Sequence, residues 1–252
     1  MKSISELKSE AYISLSEDWG NAIGFTFVLF CISIAASIIP YIGDLIGLII
    51  AGPLAFGTAL FFLKVSKGEK GEIEDLFQAF KSKETFFSSL SAYFFTVIIL
   101  VPILIICVVI WVALFLGDIE NISSILVGAS FEDAPYTIDP SFLNEYSSPL
   151  FESGIGTIIL SAIIIIFVPL IIVSLLLSQV FFVLADEKTS NGFEAIKMSW
   201  NVMKGKKMKL FLLQLSFIGW AFLSVLTFFI GFLFLYPYML TTYSKFYQNL
   251  YD

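Results

Sequence analysis

The side chains that carry most protein chemistry are nearly missing from this chain. It has no histidine, only two cysteines, and fourteen basic residues that are all lysine. Without imidazole, the common zinc sites and the Ser-His and Cys-His pairs that activate a nucleophile are unavailable. Cys31 and Cys107 each sit in an apolar run, which reads as two buried free thiols rather than a disulfide or a metal pair. The expectation is a protein that is not an enzyme and holds no metal and no cofactor. The clearest polar side chains inside apolar segments are Gln179 and Gln214. With Trp220 and Pro237 they are the candidate ligand contacts of a central cavity, and the competing reading for the glutamines is hydrogen bonding between helices. Lys204, Lys206, Lys207 and Lys209 form a cluster that can attract anionic lipid headgroups at roughly 1 kcal/mol per lysine, or act only as a topology signal.

What must position these residues is a membrane bundle. The chain has 252 residues, is 58% hydrophobic and 17% aromatic, and has a mean hydropathy of +0.92. Several runs reach the ~20 apolar residues that a ~30 Å hydrocarbon layer demands of a helix, and nothing alternates like the strands of a membrane barrel. The first apolar run begins near Asn21, behind Glu6, Glu10, Glu17 and Asp18, an acidic leader unlike a cleavable signal. No ionisable residue falls at mid-depth, Asp44 and Asp186 being at span ends, which argues against a proton-coupled pump, an intramembrane aspartyl protease and a voltage sensor.

The apolar segments are 20–38, 45–65, 91–116, 154–184 and a long region at 209–250. Lysines crowd 64–90 and 186–209, whereas 39–44 and 117–153 have none and the latter holds seven acids. Lysine-rich loops stay cytoplasmic, so the N-terminus is expected inside and the loop 117–153 outside. That loop lacks the D-x-D-x-D-G pattern of a calcium site, and a net charge of −7 without a basic face leaves no nucleic-acid signature.

From Lys209 to Tyr243 is about 52 Å of helix, too long for one crossing, so the chain is expected to reverse near Phe229–Gly231, with Gly231 taking a positive φ. The reversal keeps every lysine inside. A short internal match agrees with it: with Ile46-Gly47 over Ile230-Gly231, Pro53 meets Pro237, Thr58 meets Thr242 and Phe62 meets Phe246. Ala51, Ala55 and Ala59, four apart, read as a small-residue stripe for close helix packing.

Three connecting segments carry one apolar face. In 72–90 it is Ile73, Leu76, Phe77, Phe80, Phe87 and Leu90. In 191–204 it is Phe193, Ile196, Trp200 and Met203, behind Asn191 and Glu194 at capping-box spacing. In 3–15 it is Leu7, Ala11 and Leu15 after Ser3 and Glu6. Such helices suit a membrane surface. The expected fold is therefore all-α, one polytopic domain of six transmembrane helices arranged as three hairpins. An interfacial amphipathic helix precedes each, giving pseudo-repeat units of about 1–66, 70–185 and 188–250.

Residues 183–220, VLADEKTSNGFEAIKMSWNVMKGKKMKLFLLQLSFIGW, followed by Ile230-Gly231, Pro237-Tyr238 and Phe246-Tyr247, resemble the bacterial membrane family catalogued as domain of unknown function 975. ELKSEA, GPLAFGTALFFL and EIEDLFQAF near the N-terminus fit as well. The chain departs from the family at 117–153, which looks inserted, and at LLLSQVFFVLAD. The resemblance implies a bacterial cytoplasmic membrane protein and no activity, and the lysine distribution puts both termini inside. The expected role is a non-enzymatic accessory protein whose partners are membrane lipids or another membrane protein. The alternative is a permease or exporter of a lipid-like or apolar peptide substrate.

Overall fold

The computed structural model describes residues 2–38, 43–128 and 155–251. Their regular elements are all helical. In order they are α1 (Ile4–Leu15), α2 (Trp19–Ile38), α3 (Gly43–Lys67), a 3₁₀ helix (Ile73–Lys81), α4 (Lys83–Gly128), α5 (Ile155–Ala162) and a π turn (Ile163–Phe167). There follow α6 (Val168–Leu177), α7 (Val180–Ala185), α8 (Gly192–Met203), α9 (Lys207–Leu215), α10 (Ile218–Leu226) and α11 (Phe232–Tyr251). Five stretches are long and apolar enough to cross a membrane: Trp19–Ile38, Leu45–Lys67, Lys83–Leu114, Gly156–Ala185 and Lys207–Leu226. Helix α11 is not among them, because Thr241 to Ser244, Lys245, Gln248 and Asn249 make its second half polar. The expected outer loop 117–153 is only partly described. Residues 117–128 continue α4, and 129–154 lie outside the described residues.

The chain divides into two compact units, Met1–Ile98 with Ser174–Asp252, and Ile99–Val173. In the second, Cys107 and Ile158 are buried and the Trp111 indole donates to Ser161 Oγ (3.2 Å). Its π turn precedes Pro169, whose missing N–H and bulky ring disturb the regular ladder.

The first unit is built on α3 and α11. Helix α1 starts with the reciprocal cap its spacing predicts: Ser3 Oγ accepts from the Glu6 N–H (3.2 Å) and the Ser3 N–H donates to Glu6 (2.6 Å). Its apolar face, Leu7, Ala11 and Leu15, is fully buried, and α1 packs on α11. The second cap is only half as expected. Asn191 accepts from the Phe193 N–H (2.9 Å), while Glu194 is taken by the Thr189 hydroxyl (2.7 Å).

Two connecting segments divide their apolar residues between the protein interior and its surface. Residues 73–81 form a 3₁₀ helix, whose three residues per turn turn Leu76 and Ala79 inward against α3 and leave Phe77 and Phe80 exposed. On α8 the buried residues are Ala195, Ile196, Ser199 and Met203, and Phe193 and Trp200 are exposed. Cys31 is exposed as well, contrary to its reading as buried.

The chain does turn back between α10 and α11. Phe217 stands edge-on to both Tyr238 and Tyr243, and Lys206 Nζ reaches Leu250 O (3.2 Å), so α9–α10 and α11 run antiparallel. Gly231 is not the residue with positive φ. That conformation falls on Phe228 (51°) and Phe229 (68°). Gly231 serves close approach instead, since a Cβ there would stand 2.8 Å from Ser224 Cα. The left-handed region costs an ordinary residue roughly 1–2 kcal/mol, and the Phe228 ring is 89% exposed. Phe228→Gly is therefore expected to stabilise the protein by about 0.5–1 kcal/mol after the entropy of the unfolded glycine is subtracted, read as a raised thermal midpoint in detergent. A lowered midpoint would count against strain at this turn.

Candidate functional site

A cleft of about 430 Å³ opens in the first unit at the middle of α2 and α3. Its walls are Leu29, Phe30 and Ser33 from α2, Ala51, Leu54, Ala55, Thr58 and Ala59 from α3, Ser178, Phe181 and Phe182, and Tyr236 and Leu240 from α11. Ala51, Ala55 and Ala59 all line it. The stripe expected to bring helices together thus leaves space, because three methyl side chains do not fill the gap between α3 and its neighbours. Close approach is made by the adjacent glycines: a Cβ on Gly52 would meet Ser89 O at 2.5 Å, and one on Gly57 would meet Asp75 O at 2.7 Å.

One wall of the cleft is a break in the helical ladder. Helix α6 ends at Leu177 and α7 starts at Val180. Ser199, fully buried on α8, mends the gap: its hydroxyl donates to Leu176 O (2.7 Å) and accepts from the Gln179 N–H (3.2 Å). The Gln179 side chain is 1% exposed and donates from Nε2 to Ser178 Oγ (2.8 Å), while its Oε1 has no partner. A lone buried carbonyl of this kind is uncommon.

Below the cleft the helix ends are tied by charge. Asp186 accepts from Lys67 (2.7 Å) and Tyr247 (3.1 Å) and pairs with Lys188 (3.2 Å), joining α3, the end of α7 and α11. Phe182, a cleft residue, stacks on Tyr247 at 5.6 Å. Beside it Ser66 meets Ser244 (2.6 Å) and Gln248 (2.8 Å), and Lys245 reaches Ser66 O. Burial pushes the Asp186 carboxyl up, but the hydrogen bonds from Lys67, Lys188 and Tyr247 outweigh it and hold it below its ordinary value of 3.8. A carboxyl lowered in this way stabilises the fold above its unfolded value and stops doing so as pH falls through the folded one. Asp186→Asn should cost about 1 kcal/mol at pH 7, a modest figure because the lysine partners are partly solvated. The gap between variant and wild type, followed by thermal midpoint against pH, should close below pH 3.8.

The sequence-derived candidates do not converge on the cleft. Gln179 touches it only through Ser178, and Pro237 is buried in α11 beside Tyr236. Gln214 is half-buried and Trp220 is 60% exposed, both outside the lining. Of the lysine cluster, Lys204 binds Asn201 (3.1 Å), Lys206 holds Leu250 O, and Lys209 holds Lys2 O. Lys207 lies half-buried at the start of α9. The residues that the sequence reading missed, Ser178, Tyr236, Ser33 and Thr58, give weak signals individually. A hydroxyl inside an apolar run becomes informative only when the fold groups several.

The sequence model of the family described as protein of unknown function (DUF975) matches residues 1–252. Comparison with curated proteins and with solved structures gave no match.

Proposed function

For this chain, which belongs to the DUF975 family of proteins of unknown function over its whole length, we propose a non-enzymatic membrane protein that works by holding a lipid. The observation that carries this reading is the cleft: it lies at mid-span, and none of its thirteen lining residues is charged. Holding and positioning are what such a wall can do.

The topology proposed is six crossings in three hairpins, in the bacterial cytoplasmic membrane with both termini inside. Each hairpin follows one of the amphipathic segments, giving repeat units 1–66, 70–185 and 188–250. The Lys2 N–H donates to Asn249 Oδ1 (2.8 Å), so the two ends of the chain meet. Adjacent termini require an even number of crossings, which supports α11 as the sixth beside the five apolar stretches. The Lys204–Lys209 cluster supports contact with anionic headgroups at that face. With Cys31 and Cys107 replaced, Asn249→Cys should resist a membrane-impermeant thiol reagent in intact cells and react after permeabilisation. Labelling of intact cells would place the C-terminus outside and remove the sixth crossing.

Lipid holding is tested in nanodiscs by mass spectrometry of bound lipid. Wild type should retain lipid that Ala55→Leu, which puts a larger side chain into the cleft, releases. Equal retention by the two would refute the reading. The alternative is a permease for a lipid-like or apolar peptide substrate, favoured by Pro53 and Pro237 flanking the cleft residues Leu54 and Tyr236 on two facing helices. A permease must expose Thr58→Cys to both sides of the membrane in turn, and a holding protein need not.

A further inference from the structure

The cleft's polar atoms restrict what it can hold. Ser33 Oγ donates to Leu29 O (2.9 Å), Thr58 Oγ1 to Leu54 O (2.7 Å) and Ser178 Oγ to Leu175 O (2.7 Å). A hydroxyl has one proton, so these three donors are committed to their own helices; Ser33 and Thr58 still offer acceptor capacity, and Ser178 Oγ, which already accepts from Gln179 Nε2 (2.8 Å), keeps one lone pair. The fourth polar residue is Tyr236, whose ring sits 5.7 Å from Phe30. The other nine lining residues are hydrocarbon.

A phosphate or carboxylate brought into this wall would face three committed hydroxyls, one phenol and no cation. Stripping its water without such partners costs several kcal/mol. An occupant bearing its own hydroxyl meets the opposite situation, since its proton finds ready acceptors. Size narrows the class further. A 150 Å³ apolar cavity takes one benzene, so by proportion about 430 Å³ has room for on the order of fifteen carbon atoms. That is the volume of about one acyl chain, and the open side of the cleft leaves room outside for the rest of the molecule.

We propose that the cleft is a binding site for an uncharged, single-chain lipid with a free hydroxyl, the chemical class of monoacylglycerols and long-chain alcohols. The chain would lie along Ala51, Ala55 and Ala59, with its hydroxyl among Thr58, Ser178 and Tyr236. This rests on the lipid-holding reading above and specifies its ligand.

The experiment uses full-length protein in phosphatidylcholine nanodiscs and a photoreactive monoacylglycerol with a diazirine in its chain. Crosslinks are expected within 29–33, 51–59, 178–182 and 236–240, and Ala55→Leu should reduce them about tenfold, the equivalent of roughly 1.4 kcal/mol. Unlabelled monoacylglycerol should compete, and a fatty acid of equal chain length, ionised at pH 8, should compete at least about tenfold less well. Thr58→Val and Tyr236→Phe, which keep volume, should each weaken labelling severalfold while thermal midpoints hold. These two variants and the competition order decide the matter even if Ala55→Leu does not assemble. Equal competition by the fatty acid would overturn the hydroxyl-lipid proposal and leave lipid holding intact. Labelling that is absent, or that is indifferent to all three variants, would overturn both.

Discussion

Gly57→Ala is expected to destabilise the protein by about 3 kcal/mol, although the same change at Gly47 should stabilise it by up to about 1 kcal/mol. The added methyl at Gly57 would stand 2.7 Å from Asp75 O and from Leu76 C, and closer still to Leu76 O. These are backbone atoms of the 3₁₀ helix, so no rotamer change relieves the clash. The segment 73–81 must lift off α3, drawing Leu76 out of the cluster it shares with Phe25, Phe61 and Phe62 and straining the Lys64–Asp75 pair (2.6 Å). At Gly47 no atom lies within 4 Å of the new methyl, and alanine simply improves helix propensity. Thermal midpoints in detergent should move in opposite directions. A second readout is a cysteine at the buried Ala79, which should become reactive to thiol reagents in the Gly57 variant alone. Midpoints that move together would refute close packing at α3.

Ser199→Ala should cost about 2–4 kcal/mol, a large effect for the loss of one oxygen. The hydroxyl serves two backbone groups at once, Leu176 O and the Gln179 N–H, at a point where the helix supplies no partner for either. Each buried group left unsatisfied costs about 1–3 kcal/mol. Gln179 Oε1 is already unpartnered, so the site has no spare donor with which to compensate. Amide exchange at Gln179 should accelerate in the variant, while Ser199→Thr, which retains the hydroxyl, should restore much of the protection. A change below about 0.5 kcal/mol, the size of an ordinary surface substitution, would mean that water or a shifted helix replaces the bonds.

The helical class and five apolar stretches long enough to span a membrane were legible in the sequence because both depend on neighbours. Runs of apolar residues set length, and the Ser3–Glu6 cap needs only residues three apart. The reversal near 229 was legible for the same reason, since helix length against bilayer thickness is arithmetic along the chain. Which residues make that turn was not. The sequence put the positive φ on Gly231, but it falls on Phe228 and Phe229, because Gly231 is needed where Ser224 comes close. Which residues of 73–81 and α8 the protein itself buries was not legible either: a 3₁₀ winding and the neighbours of α8 select Leu76, Ala79, Ile196 and Met203.

The cleft belonged wholly to the tertiary structure. Ala51, Ala55 and Ala59 have the spacing of a packing stripe, and spacing records only that the side chains are small. Whether a neighbour advances into the room they leave is set by contacts elsewhere. Gly57 holds the 3₁₀ helix against α3, and Asp186 ties Lys67 to Tyr247 across residues far apart in the chain. The Asp186 ties set the distance between α3 and α11 independently of the alanines, and the alanine side chains are too short to close it.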